Sequence, residues 1–293
     1  MRYRLSHRTS YSYTNSVDSA HHVAHLRARD FTGQQVLSTE IVAAPVPAAT
    51  SQRVDHFGNH MDLYRIDEPH KRFEIEVKAE IEVSIPPPPA LSATPAWEEI
   101  RAGLNGGGFP TWIEASEFVH NSPLVTTDDT LRAYGAVSLS AGRPILEAAR
   151  ELTSRIKADF EYRPGSTDIS TPLHEVFEGK SGVCQDFAHV QIAALRAHGL
   201  AARYVSGYIR TIHSVDQIEL RGADASHAWV MVLCGQHAGW VHLDPTNDLI
   251  AHEDHVTLAW GRDFSDVSPL HGVILGGGEH TYGVAVHLVP LGQ

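Results

Sequence analysis

At 293 residues and 42% hydrophobic composition the chain is large enough to bury a core and exceeds a typical single domain, so two domains, or one with a large appendage, are expected. A net charge of −12 argues against a nucleic-acid groove or an anionic membrane surface as the main partner, since both reward clustered Lys and Arg. Two cysteines, Cys184 and Cys234, indicate no disulfide framework, and no leader-like or membrane-spanning apolar run occurs, which together give the expectation of a cytoplasmic protein.

Residues 1 to about 90 read as strands. Tyr3 to Tyr13 is rich in Tyr and Thr with loose alternation, and Phe73 to Val83 alternates almost strictly, predicting a half-buried strand with an acidic outer face. Val36 to Val42 and His60 to Ile66 are further strands, set apart by Pro45, Pro47 and the turn Gly58-Asn59. A small antiparallel β-sandwich-like domain over 1–90 would bury such faces. Pro86 to Pro89 cannot donate to a ladder and favours an extended spacer, which places a domain boundary there. Residues 91–140, with Trp97, Gly106, Gly107, Gly108 and Trp112, form a connector with no assigned element.

The remaining stretch, 141–293, is expected to be an α+β core. Ile145, Leu146, Ala149, Leu152, Ile156 and Phe160 lie on one helical stripe, and Pro172 to Phe177 is a short helix. Gly179-Lys180-Ser181 resembles the end of a phosphate loop, but His174 stands where the upstream glycine is required. Gly182-Val183-Cys184-Gln185-Asp186-Phe187-Ala188-His189 then places a cysteine at the head of a half-buried helix running to about His198, with Gly199 as its stop. Strands follow at 201–209, 226–233 and 239–244, the last two joined as an antiparallel hairpin.

The hairpin brings His227, near the start of one strand, beside Asp244 at the end of its neighbour. A thiol near 8.5 is mostly protonated at neutral pH, whereas an imidazolium and a helix N-terminus lower it to about 3.5–7.5. Cys184 is therefore read as the nucleophile, His227 as the group that shares and returns its proton, and Asp244 as the carboxylate that holds the imidazole tautomer. The backbone N–H of Cys184 is the first oxyanion donor, with Tyr162 and Gln185 as candidates for the second. Each residue has a plainer role: a buried structural cysteine, an ordinary strand histidine, a turn-opening aspartate before Pro245, and Asp186 compensating the helix dipole. The joint arrangement is what favours chemistry. Twenty histidines invite a metal, but they are scattered, and His252-Glu253-Asp254-His255 lacks the helical zinc spacing, so no metal or other cofactor is expected.

The stretch 182–189, Ala201 to Tyr208, Ala225-Ser226-His227-Ala228-Trp229 and Asp244-Pro245-Thr246-Asn247 resemble the bacterial transglutaminase-like family of the papain-like thiol enzyme superfamily. The resemblance covers roughly 140–290, and the strand-rich first part is similar to the N-terminal domain of bacterial members. It implies that Cys184, His227 and Asp244 occupy the triad positions. Animal transglutaminases carry a tryptophan directly after the nucleophile, where this chain has Gln185, and no calcium-site carboxylate cluster is evident, so calcium-activated cross-linking is not implied. The expected reaction is acyl transfer on an amide or isopeptide bond of a peptide, protein or small amide through a thioester. Hydrolysis is the first outcome and transamidation the second, with a silent binding module and a metal-dependent hydrolase as alternatives.

Overall fold

The alternation that opens the chain is carried by one long strand, β1 (Arg2–Ala24). Tyr3, Leu5, His7, Thr9 and Tyr13 are buried along one face, and the pattern resumes at Val17 after a register break between Ser12 and Val17. The structure is a computed structural model that describes residues 1–106, 110–210 and 226–292; Gly107, Gly108 and Ala225 lie outside the described residues. Four strands follow β1: β2 (Gln34–Ala44), β3 (Ala49–Val54), β4 (His60–Ile66) and β5 (His70–Val83). β5 pairs antiparallel with the first half of β1 and β4 with the second half of the same edge, so 60–83 behaves as one long strand interrupted at 67–69. β2 and β3 repeat this pairing one position farther out. Breaks that fall in line across neighbouring strands let a sheet bend, because an irregular residue increases local twist. A separate apolar cluster on this sheet includes Val17, Ala20, Leu26, Ile66, Phe73 and Ile75.

The connector expected over 91–140 is largely helical, with α1 (Trp97–Gly106), α2 (Pro110–Ser116) and α3 (Asp129–Ser138). Its few apolar positions hid this: α1 buries only Trp97, Ile100 and Leu104. α4 (Ile145–Asp159) buries the predicted stripe. The short strand β6 (Glu161–Tyr162), helix α5 (Leu173–Gly179) and short strand β7 (Ser181–Gly182) lead into α6 (Cys184–Arg196). A five-stranded sheet of order β11-β10-β9-β8-β12 follows, formed by β8 (Ala202–Ile209), β9 (Ser226–Leu233), β10 (Trp240–Asp244), β11 (Leu249–Ile250) and β12 (His255–Gly261). A one-turn helix, α7 (Phe264–Val267), closes it. Gly199 takes φ +73° just past α6, a left-handed stop that glycine adopts without strain.

α6 is not half-buried as its periodicity predicted. Every residue from Asp186 to Arg196 is buried, because the helix lies between α3, α4 and α5 on one side and β8 and β9 on the other. Most of its polar side-chain atoms find partners inside the protein, Gln191 Oε1 being an exception among the described residues. Gln191 donates to Thr153 Oγ1 at 2.9 Å, and Arg196 donates to the carbonyls of Phe118, Ala202 and Arg262 and to Ser122 Oγ. A buried polar group is tolerated when it is paired in this way.

The expectation that 141–293 form one unit fails at its end. β13 (Leu270–Gly276) and β14 (His280–Leu291) leave the core and pair with the free edge of β1, making the first sheet seven-stranded. The open edge of β1 supplies the unpaired backbone groups that these residues satisfy. The two sheets are stitched at β12, the edge strand of the core sheet. Gln34 exchanges hydrogen bonds with the backbone of Thr257, donating to its carbonyl at 2.7 Å and accepting from its N–H at 2.8 Å. Asn59 does the same at Trp260, at 2.8 and 3.0 Å. Two side-chain amides thus stand in for a neighbouring strand.

Candidate active site

β6 and β7 pair in parallel, with Tyr162 opposite Gly182, and this fixes the approach of the chain to Cys184. Cys184 is the first residue of α6, so its N–H and that of Gln185 are among the groups a helix leaves without an internal partner. The Asp186 carboxylate accepts from the N–H of Val183 at 2.8 Å and from Thr167 Oγ1 at 2.7 Å. Burial raises the Asp186 pKa, and these two hydrogen bonds act against that rise. A methyl group on Gly182 would sit 2.5 Å from Asp186 Oδ2, so glycine is required for the carboxylate to reach the turn.

β9 and β10 form the predicted antiparallel pair, with Trp240 opposite Leu233 and Leu243 opposite Val230. Beyond that register, His227 stands two residues before Trp229, the position in line with Asp244, and its Nε2 lies 2.7 Å from Asp244 Oδ2. Asp244 is fully buried and His227 nearly so. Cys184 is among the groups that raise the pKa of the imidazole, and since Nε2 is committed to Asp244, the ring nitrogen left for the thiol is Nδ1. The three residues that the sequence singled out are thus in line, with only the sulfur end partly exposed.

The surroundings of His227 and Asp244 favour the charged form of each. Burial disfavours a charged His227, but hydrogen bonds to Asp244 and Cys184, together with their charges, outweigh it and push the imidazole pKa up to about 10. Burial likewise opposes a charged Asp244, and the hydrogen bonds from His227, His255 and Asn247 hold it well below the usual carboxylate range. Cys234 is fully buried, and burial alone pushes its thiol pKa up. Brief iodoacetamide treatment of the folded protein at neutral pH is therefore expected to add one label, at Cys184, leaving Cys234 unmodified until the protein is unfolded. Intact mass and peptide mapping check this, and labelling of Cys234 first would contradict it.

The two candidates for a second oxyanion donor are both beside the nucleophile. Tyr162 is 44% exposed, next to Gly182 across the small sheet and edge-on to Phe187. Gln185 lines a cavity of about 460 Å³ together with Val183, Ile169, Ser170, Asp168 and Tyr282. Tyr282 comes from β14, so this strand supplies a wall beside the N-terminus of α6. Among the described residues no Lys, Arg or His lines the cavity, and the Asp168 carboxylate is already held by Ser170 and Thr171.

Two residues at the site were not singled out from sequence. His255 Nε2 lies 3.0 Å from Asp244 Oδ2, and Asn247 Nδ2 donates to the same oxygen at 2.8 Å. The other oxygen, Oδ1, accepts from the backbone N–H groups of Thr246 and Asn247 at 2.9 and 3.1 Å. Asn247 closes the Asp-Pro-Thr-Asn turn and was visible there; His255 was weighed only within a zinc spacing. His227, Asp244 and His255 do cluster donor atoms of the kind that bind divalent metals, all within 4.8 Å of one another. Their 2.7 and 3.0 Å separations are hydrogen-bond lengths, shorter than the roughly 3.3 Å between donors that Zn–N bonds of about 2.0–2.1 Å require.

The bacterial transglutaminase-like N-terminal region matches residues 3–82, and the transglutaminase-like superfamily core matches residues 135–245. An uncharacterized protein of Mycobacterium tuberculosis is 40% identical over 299 residues, covering 99% of this chain and 93% of the relative. One of Mycobacterium leprae is 28% identical over 292 residues, covering 99% of each. Among solved structures, that of a proposed cysteine protease from Cytophaga hutchinsonii has a TM-score of 0.77 at 19% identity, covering 100% of this chain and 91% of that one, a likeness of fold.

Proposed function

The chain belongs to the transglutaminase-like superfamily, in the bacterial form that carries the matching N-terminal region, and on that premise we propose that it is a cysteine-nucleophile hydrolase of amide or isopeptide bonds. The observation that supports this reading best is the line from a buried carboxylate through a buried imidazole to a partly exposed thiol at a helix N-terminus.

In this mechanism the Cys184 thiolate attacks the amide carbonyl carbon while His227 holds the proton taken from sulfur. The negative charge that develops on oxygen faces the N-terminal N–H groups of α6, beginning with that of Cys184. Collapse breaks the C–N bond as His227 returns the proton to the departing amine, leaving a thioester on Cys184. Water then attacks the thioester carbon, His227 accepts a proton from it, and collapse releases a carboxylic acid and restores the thiol pair. Asp244 keeps the proton-bearing Nε2 of His227 turned toward itself throughout. The cavity beside Cys184 supports a peptide or protein donor whose neighbouring side chain is uncharged or basic, because its described lining offers Ile169, Val183 and Tyr282, the carboxylates of Asp168 and Asp186, and no cation.

The test is to incubate the protein with a mixed peptide library in ¹⁸O-labelled water, with and without a primary alkylamine, and to read products by mass spectrometry. New carboxyl termini or side-chain acids carrying ¹⁸O, in both conditions and abolished by iodoacetamide, are the expected result. Products formed only as amine adducts would replace hydrolysis with transamidation. Turnover that survives alkylation and stops on chelation would overturn the cysteine mechanism.

A further inference from the structure

His255 is not part of the three-residue line, yet it is 1% exposed and points Nε2 at the same oxygen of Asp244 that His227 uses. Its other ring nitrogen, Nδ1, is buried without a hydrogen-bond partner among the described residues. A buried imidazole with one nitrogen facing a carboxylate and the other facing nothing has one favourable form: neutral, with the proton on Nε2 and donated to the carboxylate. The edge of the Trp229 ring packs against it at a centroid distance of 5.1 Å and fixes its plane. The titratable groups around it are Asp244 and His242 on β10, His227 on β9, and His252 just before its own strand. Burial lowers the His255 pKa, consistent with the neutral form despite the nearby carboxylate.

We propose that His255 is a positioning residue that acts on the reaction through Asp244, donating a permanent hydrogen bond that anchors Oδ2 and draws off part of its charge. The proposal rests on the role given above to His227 and Asp244, but not on which bond is cleaved. An oxygen that accepts from His227 alone would grip the imidazolium proton harder. An oxygen shared with His255 and Asn247 grips it less, so His227 can return that proton to the departing amine. β12 carries His255 to the site from the far edge of the core sheet, where Gln34 and Asn59 hold the strand in place.

The test compares wild type with His255→Phe, which keeps a flat ring but removes the donor, and His255→Gln, which restores an N–H donor. The readouts are the NMR titration of the His227 ring between pH 6 and 12 and, separately, kcat and KM. In His255→Phe the His227 titration is expected to move upward by roughly half to one pH unit, with kcat about tenfold lower and KM unchanged; His255→Gln should return both toward wild type. An unmoved His227 titration in a folded His255→Phe protein would overturn the proposal, because loss of packing alone lowers the rate without changing that value. If His255→Phe fails to fold, the imidazole ¹⁵N spectrum of wild type decides: a neutral Nε2–H tautomer of His255 across pH 6–9 is required, and an Nδ1–H or doubly protonated ring refutes it. The titration and the spectrum use no substrate, so a failure of the hydrolysis reading and a failure of this one are separable.

Discussion

Cys184→Ala is expected to reduce turnover by a factor on the order of 10⁶, to the level left by binding and the oxyanion donors alone. The loss is this large because no other residue at the site can form the thioester: Cys234, the second thiol, is fully buried in the apolar core. The fold should be unaffected. Cys184 is only partly buried at the first position of α6, and alanine is the best helix former, so the change in stability should stay within about 1 kcal/mol. The substitution also has a spectroscopic consequence. His227 loses the hydrogen bond and the negative charge of Cys184, two of the causes that raise its pKa, and should titrate at lower pH than in wild type. Steady-state rates, thermal melting and an NMR titration check the three points, and wild-type turnover by a folded variant would remove Cys184 from the chemistry.

Asp244→Asn is expected to lower kcat by about 10⁴ and to destabilise the protein by roughly 1–3 kcal/mol. Both effects follow from the donors around the carboxylate. Oδ1 faces two backbone N–H groups, and Oδ2 faces the side chains of His227, His255 and Asn247, so every partner donates. An asparagine must turn its NH₂ toward one of these sets. If it faces the backbone N–H groups, the turn at Thr246 and Asn247 is broken. If it faces His227, the ring must carry its proton on Nδ1, which then points at Cys184 and cannot accept from it. Iodoacetamide should still reach Cys184 in this variant, but more slowly. A rate within tenfold of wild type would show that Asp244 does not orient His227.

What could be read in the sequence was governed by how local each signal is. Cys184, His227 and Asp244 lie on a helix N-terminus and a hairpin, both set by short-range turn and alternation signals, and the structure brings the three side chains together. α4 was legible because its apolar stripe is complete over 15 residues. α6 was legible as a helix but not as a buried one, since Gln191 and Arg196 look solvent-facing until Thr153, Phe118 and Ser122 are placed beside them. His255 contacts Asp244 across the end of a sheet, and nothing in the order of residues reports that β12 closes the sheet on the side of β8. β13 and β14 were illegible for the same reason. Their exposed Val273, Leu275 and Tyr282 give no one-sided alternation, and the pairing is with a strand from the opposite end of the numbering.

That pairing has a consequence for how the protein is made. Arg2 is matched with Leu291 and Tyr13 with His280, so β1 leaves the ribosome with an edge that stays open until residues 270–291 have emerged. At translation rates of about 5–20 residues per second this interval is on the order of tens of seconds, during which an apolar face headed by Tyr3 and Leu5 is incompletely covered. Nascent chains of this protein are accordingly suited to chaperone capture, and the edge of β1 is paired only after synthesis has passed Cys184, His227 and Asp244.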